Sequence, residues 1–490
     1  MLHILNVEES RELREFLRDA GYNTDSLIQC FGRIENPKVH LLKLSLVGRS
    51  LEPSPLHMLF QWFWVGATVD AAAARAVVPQ GILELLLKSG MLIVDDGGFT
   101  STVRISPFND LLILSDHVMA RTGALPVETV LWPNPTSMLC FQLCLQSPVG
   151  RTLDLGSGNG IIALAAAGHT GAVIATDLNP RARQFCEFNA ALNGIGNLEF
   201  REGNAFEPVR GERFDLIVAN PPFFVTPTVR RVYSDNGMEL DGFCRMLIRQ
   251  APEYLEENGY CQMMIEWVQV KGQPWRERIA EWIAGLGCDV WVLMSYMQSS
   301  LDYTLVRVQE DREELSDPAA QTALVDTWIE YFNQHGVEAI HGGIIMLRRR
   351  QGKNWTRMED LPSLPSRPFG EFMRGIFETH NTLERLSDEK LLETRPALPP
   401  SARLEKQFLI SDDGWRLSGL DLQLSEGLPY SLALQPQVAD FVGACTGKHT
   451  LAELADQLAA VLKVDSAVVR RECCTIVRRL ADRGMMHIAG

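Results

Sequence analysis

The sequence predicts an α/β protein whose central domain is a parallel sheet with helices on both faces. From about Gly150 onward, short apolar runs alternate with helical segments, as parallel strands and their crossover helices require. Turns rich in glycine or proline follow individual strands at the points where such sheets usually bind ligands. We therefore expect a large doubly wound domain with smaller modules before and after it.

The length of 490 residues exceeds what one hydrophobic core usually organises, so several domains are expected. We predict an N-terminal domain over residues 1–115, a central domain over 116–358 and a C-terminal domain over 366–490. The proline-rich stretch EDLPSLPSRPF separates the last two domains, and TRPALPPSA is interpreted as a second link within the C-terminal part.

Helices followed by a hairpin predict a winged-helix-like module at each end of the chain. At the N-terminus, LREFLRDAG, PLHMLFQWFWVG and ILELLLKSG precede the turn Asp96-Gly97-Gly98. At the C-terminus, Thr450 and Glu453 are spaced as a capping box before LAELADQLAAVL, and a second helix leads to MMHI. Because winged helices bind DNA in some proteins and proteins in others, these modules do not define a function.

Seven apolar runs in the central domain predict strands, which are enough for a complete domain. They are Thr152 to Leu155, Ala172 to Asp177, Asn197 to Glu202, Phe214 to Ala219, Tyr260 to Trp267, Asp289 to Ser295 and Ala339 to Leu347.

The formal charge of −15 argues against binding along an extended nucleic-acid groove, which depends on neutralising many phosphates. Local basic clusters leave nucleic acid possible, although a solvated strand end and loop explain them at least as well. These clusters are Arg348, Arg349, Arg350, Lys353 and Arg357, and a smaller pair, Arg230 and Arg231.

Membrane and metal sites are not expected. The apolar stretches are shorter than a membrane span, and the N-terminus carries acids where a secretory signal needs a basic flank, so we expect a cytoplasmic protein. The ten cysteines form no CxxC pair and no spacing suited to zinc, so we expect them to be reduced and buried. The oligomeric state cannot be read from the sequence.

The first chemical signal is a glycine-rich turn, Gly156 to Gly160, which follows a strand ending at Leu155 and precedes an apolar helix. Glycines allow a sharp turn and a close ligand approach to helix N–H groups. Asp177 ends the next strand about 20 residues later, where an acid reaches a ribose diol in nucleotide-binding units. Ile161 occupies the sixth position, where a dinucleotide fingerprint has Gly or Ala, which disfavours an NAD(P) oxidoreductase.

The second signal is Asn220-Pro221-Pro222-Phe223 at the end of the strand FDLIVA. Two prolines hold the backbone extended, remove two N–H donors and leave carbonyls free to face a substrate. A planar NH₂ group is a poor nucleophile until acceptors hold its hydrogens. The Asn220 oxygen and the Pro221 carbonyl are placed to do so, with Phe223 covering the flat group. These four residues are the predicted catalytic residues.

The stretches DLGSGNG, ATDLNPRARQFCEFNAALNG and EGNAFEPVRGERFDLIVANPPFF resemble class I S-adenosylmethionine (AdoMet)-dependent methyltransferases of the methyltransferase small domain group. This group includes release-factor glutamine methyltransferases and RNA enzymes that methylate exocyclic amines of nucleobases. The resemblance covers about residues 130–270. It implies a Rossmann-like class I methyltransferase fold, AdoMet as the cofactor and methyl transfer to nitrogen.

The resemblance also assigns cofactor contacts. It implies that Asp154, Gly156 and Gly158 surround the methionine end of AdoMet, that Asp177 holds the ribose hydroxyls and that Leu178 packs on the adenine.

Further cofactor contacts implied by the resemblance are Asn204 and Ala205 beside the adenine ring and Asn220. Asn204 departs from the family, which has an acid there. Thr136 and Ser137 lie in a segment that closes over the site in glutamine methyltransferases, although a helix cap explains either residue better. Asp241, in a loop that resembles the family's substrate loop, is interpreted as a cap.

The predicted function is an AdoMet-dependent N-methyltransferase acting on a protein glutamine or an exocyclic nucleobase amine. One alternative is a methyltransferase for a peptide or small natural product. Another is a catalytically silent AdoMet-fold protein whose terminal modules bind partners, against which the intact Asn220 to Phe223 motif counts. The acceptor stays open between protein, RNA and a small molecule.

Overall fold

A computed structural model describes residues 2–31, 54–118, 125–228, 232–311, 317–361, 365, 367–412 and 414–489. Arg230 and Arg231 lie outside this described part. The chain divides into two compact units. The first comprises Met1–Phe141 and Pro148–Glu359, and the second comprises Gln142–Ser147 and Asp360–Gly490. The three-domain division stays a prediction.

The N-terminal part of the first unit combines helices with short antiparallel strands. Its helices are α1 (Val7–Asp19), α2 (Thr24–Phe31), α3 (Pro55–Phe60), which continues as a π-helical turn over Gln61–Val65, α4 (Ala71–Val77) and α5 (Gln80–Lys88). Its strands are β1 (Val69–Asp70), β2 (Leu92–Asp95), β3 (Gly98–Ser101), β4 (Val103–Phe108) and β5 (Leu111–Asp116).

The strands β1, β3 and β2 form a small sheet in that order, and β4 pairs with β5. The predicted turn is confirmed, because β2 and β3 pair around Asp96 and Gly97, which both have positive φ. The winged-helix assignment of this module stays a prediction.

The centre of the first unit is an eight-stranded sheet with the order β13-β11-β12-β10-β9-β6-β7-β8. Its strands are β6 (Val149–Leu155), β7 (Thr170–Asp177), β8 (Leu198–Glu202), β9 (Phe214–Ala219), β10 (Leu255–Val270), β11 (Cys288–Ser299), β12 (Val337–Arg349) and β13 (Thr356–Asp360). The helices around it are α6 (Pro135–Leu143), α7 (Ile161–Ala166), α8 (Pro180–Asn193), α9 (Gly242–Gln250), α10 (Trp275–Ile283), α11 (Ser300–Asp311) and α12 (Pro318–Gln334).

All seven predicted strands are present, but the sheet is mixed rather than parallel. The strands β8, β7, β6, β9 and β10 pair in parallel, whereas β12 pairs antiparallel with both β10 and β11. A strand buried on both faces has the same continuous apolar pattern in either orientation. The orientation of β12 was therefore not readable from its residues.

Two asparagines on α8 bind the edge of the β4–β5 hairpin as a neighbouring strand would. Asn193 accepts from the N–H of Leu112 at 2.9 Å and donates to its carbonyl at 2.8 Å. Asn189, which is fully buried, does the same for Leu114 at 2.8 and 3.0 Å. These bonds satisfy the backbone groups of an edge strand and hold the hairpin against the central sheet.

The second unit has its own apolar core. Its helices are α13 (Gly370–Arg385), α14 (Asp388–Glu393), α15 (Pro436–Ala444), α16 (Leu451–Leu462) and α17 (Ser466–Ala481). Its strands are β14 (Arg395–Ala397), β15 (Ala402–Ser411), β16 (Gly414–Leu424), β17 (Ser431–Ala433) and β18 (His487–Ala489).

The predicted capping box of α16 is confirmed, since Thr450 and Glu453 each bind the other's backbone N–H. The interpretation of TRPALPPSA as a link is partly wrong, because β14 lies in it and pairs with β18. The predicted terminal strand begins later than expected, at His487. Winged-helix character stays a prediction here too.

Nine cysteines are buried and Cys30 is exposed, which corrects the expectation that all are buried. Among the described helices, none is long and apolar enough to cross a membrane. Within the same part of the chain, no group of three or more His, Cys, Asp or Glu side chains is placed to hold a metal ion.

Candidate functional site

The predicted site residues meet where the strand order of the sheet reverses. From β6 the chain crosses to β7 on one side, and it later returns to β9 on the other side of β6. The carboxyl ends of these three parallel strands therefore flank one crevice, which is where open α/β sheets bind ligands. Asp154, Asp177 and Asn220 lie at or next to these three strand ends.

The glycine-rich turn is held to β7 by backbone hydrogen bonds. The N–H groups of Gly156 and Ser157 both donate to the carbonyl of Thr176, at 2.8 and 2.9 Å. The N–H of Gly158 donates to a carboxylate oxygen of Asp177 at 2.8 Å. The glycine-rich turn and Asp177, which the sequence predicts to bind the same ligand, are thus in direct contact.

The glycines of this turn have positive φ, which ordinary side chains rarely adopt: Gly156 +75°, Gly158 +53° and Gly160 +82°. Gly160 also allows close packing, since a Cβ there would lie 2.7 Å from the sulfur of Cys186 on α8. A Cβ on Gly158 would meet no atom within 4 Å. The middle of the turn thus faces open space in which a ligand could lie.

Asp177 accepts backbone hydrogen bonds and can still accept further hydrogen bonds from a ligand. Its second oxygen accepts from the N–H of Asn179 at 2.9 Å, so both oxygens organise the loops at the end of β7. Burial is the main cause that raises the pKa of this carboxyl, and the backbone N–H donors oppose the rise. Because each carboxylate oxygen has two lone pairs, Asp177 retains capacity for ribose hydroxyls.

Asp154 is buried beneath the same turn, with 2% of its surface exposed. It accepts a hydrogen bond from the N–H of Ala163 at 2.9 Å. The pKa of Asp154 is raised to about 7, mainly by burial and to a lesser extent by the charge of Asp177, and the hydrogen bond from the Ala163 N–H opposes this rise. A carboxyl in this state ionises readily when a positive charge arrives.

The residues assigned to adenine lie at adjacent strand ends. Leu178 is 58% exposed, which leaves its side chain free to pack on a flat ligand. Asn204 is exposed, and Ala205 has a φ of +46°. The N–H of Gly203 donates to the carbonyl of Asp177 at 3.0 Å, which brings the two strand ends together. Their contact with adenine stays a prediction.

The Asn220 to Phe223 segment lies against the glycine turn. A Cβ on Gly156 would lie 3.7 Å from the Cα of Pro221. Pro221 and Phe223 are buried, whereas Asn220 is partly exposed and its amide makes no hydrogen bond with any described residue. An uncommitted amide beside the cofactor loop has the position and the acceptor that holding an NH₂ group requires.

The two proline carbonyls differ in availability. The carbonyl of Pro222 accepts from the amide of Asn236 at 2.9 Å, so that oxygen is used within the protein. No described donor binds the carbonyl of Pro221, the one expected to face a substrate. The N–H of Phe224 donates to the carbonyl of Ser234 at 3.1 Å and fixes the end of the segment.

Sequence reasoning missed a buried network directly behind this segment. Glu266 of β10 is fully buried, and it accepts hydrogen bonds from the hydroxyls of Tyr296 and of Tyr303, the latter at 2.6 Å. The Tyr303 oxygen also accepts from the N–H of Val225, two residues after the motif, at 3.1 Å. Burial raises the pKa of Glu266, and the Arg307 charge and the two hydroxyls oppose the rise.

Arg307 connects this network to the motif. Its guanidinium lies 3.4 Å from the ring centroid of Phe224 and 4.8 Å from that of Tyr303, with a nitrogen 3.6 Å from Glu266. The rings of Phe223 and Phe224 are in edge contact, with centroids 5.3 Å apart. The network therefore supports both the backbone and the aromatic side chains at the end of the motif.

A glycine makes the network possible. Tyr296 on β11, Gly342 on β12 and Glu266 on β10 are consecutive partners across the sheet. A Cβ on Gly342 would lie 2.1 Å from the Cζ of Tyr296, so the tyrosine ring crosses the strand over this glycine. The register shift between Met294 and Tyr296 accompanies this crossing.

The segment before α6 is bound to both loops of the crevice. Asn159 of the glycine turn donates to the carbonyl of Leu131 at 2.8 Å, and Asn179 donates to the carbonyl of Glu128 at 2.8 Å. Asp116 at the end of β5 accepts from the N–H of Val130 and pairs with Arg181 on α8. This segment therefore forms one side of the crevice.

Two expected caps are corrected. Asn134, rather than Thr136 or Ser137, caps α6, since its side chain accepts from the N–H of Ser137 at 2.9 Å. Asp241 precedes α9 but its side chain makes no capping bond. It instead accepts from the N–H of Val268 at 2.9 Å and pairs with Arg278. The pair Asn134-Pro135 is a local start signal for a helix, whereas the contacts of Asp241 depend on residues distant in the sequence.

The predicted basic cluster is largely engaged in internal contacts. Arg350 pairs with the buried Asp289 at 3.1 Å, and Arg349 donates to the carbonyl of Leu255 at 2.8 Å. Further contacts join Arg348 to Asn258 and Arg357 to the rings of Trp291 and Trp355, while Lys353 is exposed. The cluster lies at a strand end and the following loop, as expected, but most of its arginines make internal contacts and are not solvated.

We predict that Gly342→Ala destabilises the protein by about 2 to 4 kcal/mol, because the new methyl group displaces Tyr296 and leaves the buried Glu266 with one donor fewer. Gly196→Ala is the matched control, since a Cβ there meets nothing within 4 Å. Urea unfolding measures both. In a Tyr296→Ala background the cost of Gly342→Ala should largely disappear, and equal costs in the two backgrounds would show that the ring does not depend on this glycine.

Two family models match separate parts of the chain. The family model described as "Methyltransferase small domain" matches residues 135–272, and a model described as "Domain of unknown function (DUF7782)" matches residues 376–488. A solved SAM-dependent methyltransferase from Thiobacillus denitrificans, in complex with S-adenosyl-L-homocysteine, is 19% identical with a TM-score of 0.27. That match covers 46% of this chain and 94% of the other.

Among named relatives, the release factor glutamine methyltransferase of Xylella fastidiosa (strain 9a5c) is 37% identical over 132 residues. The match covers 24% of this chain and 48% of the relative, so the chain spans about half the length of such relatives. A Methanocaldococcus jannaschii protein, named as an N5-glutamine methyltransferase, is 33% identical over 27% of this chain and 70% of its own length. The chain belongs to the methyltransferase small domain family of AdoMet-dependent methyltransferases.

Proposed function

We propose that this protein transfers a methyl group from AdoMet to a planar nitrogen, and that the acceptor is the side-chain amide of a glutamine in a protein. The observation that carries this proposal is the contact between the glycine turn and the Asn220 to Phe223 segment, across which Gly156 faces Pro221. This contact brings the predicted cofactor loop and an uncommitted amide into one crevice. Methyl transfer needs that proximity, since it is an in-line displacement between cofactor and acceptor.

The choice of nitrogen rests on the chemistry of the motif. The Asn220 side-chain oxygen and the Pro221 carbonyl are both uncommitted acceptors among the described residues, and two acceptors can hold both hydrogens of one NH₂ group. Phe223 contributes a flat apolar surface. An acceptor that carries no N–H hydrogens, such as a thiolate, would gain nothing from this arrangement.

A protein acceptor is favoured over nucleic acid by charge and by the named relatives. The chain has a formal charge of −15, and most arginines of the predicted basic cluster are engaged in internal contacts. The release factor and N5-glutamine methyltransferases similar to this chain are named for protein glutamine methylation. An RNA amine, a peptide or a small natural product would be a different outcome of the acceptor experiment below.

The acceptor experiment incubates the purified protein and methyl-labelled AdoMet with fractions of a bacterial lysate, and in parallel with a purified release factor. Label is expected in protein, and mass spectrometry should place one methyl group on a glutamine side chain. Label in RNA or in a small molecule would contradict the glutamine proposal while retaining methyl transfer. No transfer to any fraction, with AdoMet bound, would favour the silent binding protein.

We predict that Asn220→Ala lowers turnover about a hundredfold, because one preorganised acceptor for the NH₂ group is lost from the transition state. AdoMet affinity should change much less, since most predicted cofactor contacts lie on the other strand ends. Single-turnover rates and calorimetric affinities of wild type, Asn220→Ala and Asn220→Asp provide the measurement. An alanine variant with wild-type turnover would make Asn220 a structural residue and remove the main reason for choosing nitrogen.

We predict that affinity for S-adenosylhomocysteine (AdoHcy) rises about tenfold between pH 6 and pH 8. The pKa of Asp154 in the free protein is about 7. A bound ammonium group favours the ionised carboxyl and lowers that pKa, so the protein releases a proton on binding. Below pH 7 this release opposes binding, and above pH 7 the carboxyl is already ionised.

The same group affects the stability of the free protein in the opposite direction. Because the pKa of Asp154 in the folded protein lies above the usual 3.8, its contribution to the free energy of unfolding is fully present below pH 4 and is lost as the pH rises through 7. Asp154→Asn should therefore flatten both pH profiles. Calorimetry at several pH values tests this, and an unchanged pH dependence in the asparagine variant would assign the effect to another group, such as Asp177.

A further inference from the structure

Arg104 on β4 is a buried cation for which the described residues supply no carboxylate. Only 6% of its surface is exposed, and its one hydrogen bond is a weak one, from Nε to the Ser106 hydroxyl at 3.4 Å. Among the described residues it forms no ion pair, and its terminal nitrogens have no acceptor. Burial lowers the pKa of Arg104 to about 10, which still leaves it charged at neutral pH.

Two tryptophan rings hold this guanidinium in place. Its Cζ lies 4.1 Å from the ring centroid of Trp64 and 5.3 Å from that of Trp132. Cation–π contacts with two indoles offset part of the desolvation cost and orient the planar group. They leave the N–H donors of the two terminal nitrogens unused, and such in-plane donors can bind a carboxylate through two parallel hydrogen bonds.

A second buried polar group stands beside it without a partner. Ser115 on β5 is directly opposite Arg104 in the β4–β5 register, and the two side chains project from the same face of the hairpin. Ser115 is fully buried, and its hydroxyl has no hydrogen-bond partner within the described part of the chain. Buried hydroxyls normally form hydrogen bonds. The Ser115 hydroxyl and the terminal N–H groups of Arg104 are therefore donors that still need an acceptor.

Two contacts place this pair next to the glycine turn. The side-chain amide of Asn189 donates both to the carbonyl of Leu114, the neighbour of Ser115, and to the carbonyl of Asn159, the latter at 2.9 Å. Trp132 follows Leu131, whose carbonyl accepts from Asn159 at 2.8 Å. The hairpin that carries Arg104 and the segment that carries Trp132 are therefore both connected to Asn159 of the glycine turn.

We propose that Arg104 and Ser115 form a carboxylate-binding site that takes the α-carboxylate at the methionine end of the cofactor. This inference rests on the proposed function, because it takes AdoMet as the ligand of the crevice. The guanidinium donates two hydrogen bonds to the carboxylate and the Ser115 hydroxyl donates a third. The acids Asp154 and Asp177 then lie on the ammonium and ribose sides of the same ligand.

The test is a cycle that removes each partner in turn. Calorimetry measures the affinity of AdoHcy and of its decarboxylated form, which lacks only the carboxylate, for wild type and Arg104→Gln. Removal of the carboxylate should weaken binding to wild type about 10- to 100-fold, and to Arg104→Gln only a few-fold. Equal losses in the two proteins would overturn the proposal.

Two further variants keep the test informative if Arg104→Gln does not fold. Ser115→Ala should weaken the binding of AdoHcy several-fold and leave the binding of the decarboxylated form unchanged. Arg104→Lys should still bind AdoHcy more tightly than the decarboxylated form, but by a smaller factor than wild type. Asp110→Asn, in the exposed turn of the same hairpin, is the control variant and should bind both ligands as wild type does. If Ser115→Ala weakens the two ligands equally, the hydroxyl is not part of a carboxylate site.

The outcome separates this inference from the proposed function. If wild type binds neither AdoHcy nor its decarboxylated form, the methyltransferase proposal itself fails. If wild type binds both with similar affinity, the crevice takes the cofactor but Arg104 does not hold its carboxylate. The alternative is that Arg104 binds a carboxylate of the methyl acceptor, and free glutamate is added to each titration to test it. If glutamate competes with the decarboxylated ligand in wild type but not in Arg104→Gln, the site belongs to the acceptor.

Discussion

The contact between the glycine turn after β6 and the proline pair after β9 is the constraint on which the rest of the site depends. Gly156 has a φ of +75°, which residues other than glycine rarely adopt, and a Cβ added there would be in van der Waals contact with the Cα of Pro221 at 3.7 Å. Because β6 and β9 are adjacent parallel strands, their ends must lie side by side. The reversal of strand order then leaves an open crevice above this contact. The glycine turn and the Asn220 to Phe223 motif share one wall of the crevice for this reason.

The parts of the site that were readable from the sequence are those whose residues lie close together along the chain. The glycine turn, the acid after the next strand and the Asn220 to Phe223 motif each follow a strand within a few residues. The Glu266 network was not readable, because it depends on the register that aligns Tyr296, Gly342 and Glu266 across three strands. Strand register is set by long-range pairing rather than by local pattern. Arg350 was likewise expected to be solvated, because its ion pair with Asp289 depends on the pairing of strands distant in the sequence.

Polar side chains on the helix α8 make the N-terminal hairpin part of the crevice rather than a separate appendage. Asn189 and Asn193 satisfy the edge of β5, and Asn189 also binds the carbonyl of Asn159 in the glycine turn. A buried amide that serves three backbone groups is costly to displace, since each group would lose its partner. Movement of the hairpin is therefore coupled to movement of the cofactor loop.

The distribution of buried charge in this unit favours an ionic ligand with both signs of charge. Asp154 and Asp177 have raised pKa values because burial penalises their ionised forms, and Arg104 has a lowered pKa for the same reason. Each group is less stable in its charged form than it would be in water. A single ligand that carries an ammonium near the acids and a carboxylate near the arginine relieves both penalties together. The amino acid end of AdoMet has that pair of charges, so its binding would recover free energy that burial of these charged groups costs the protein.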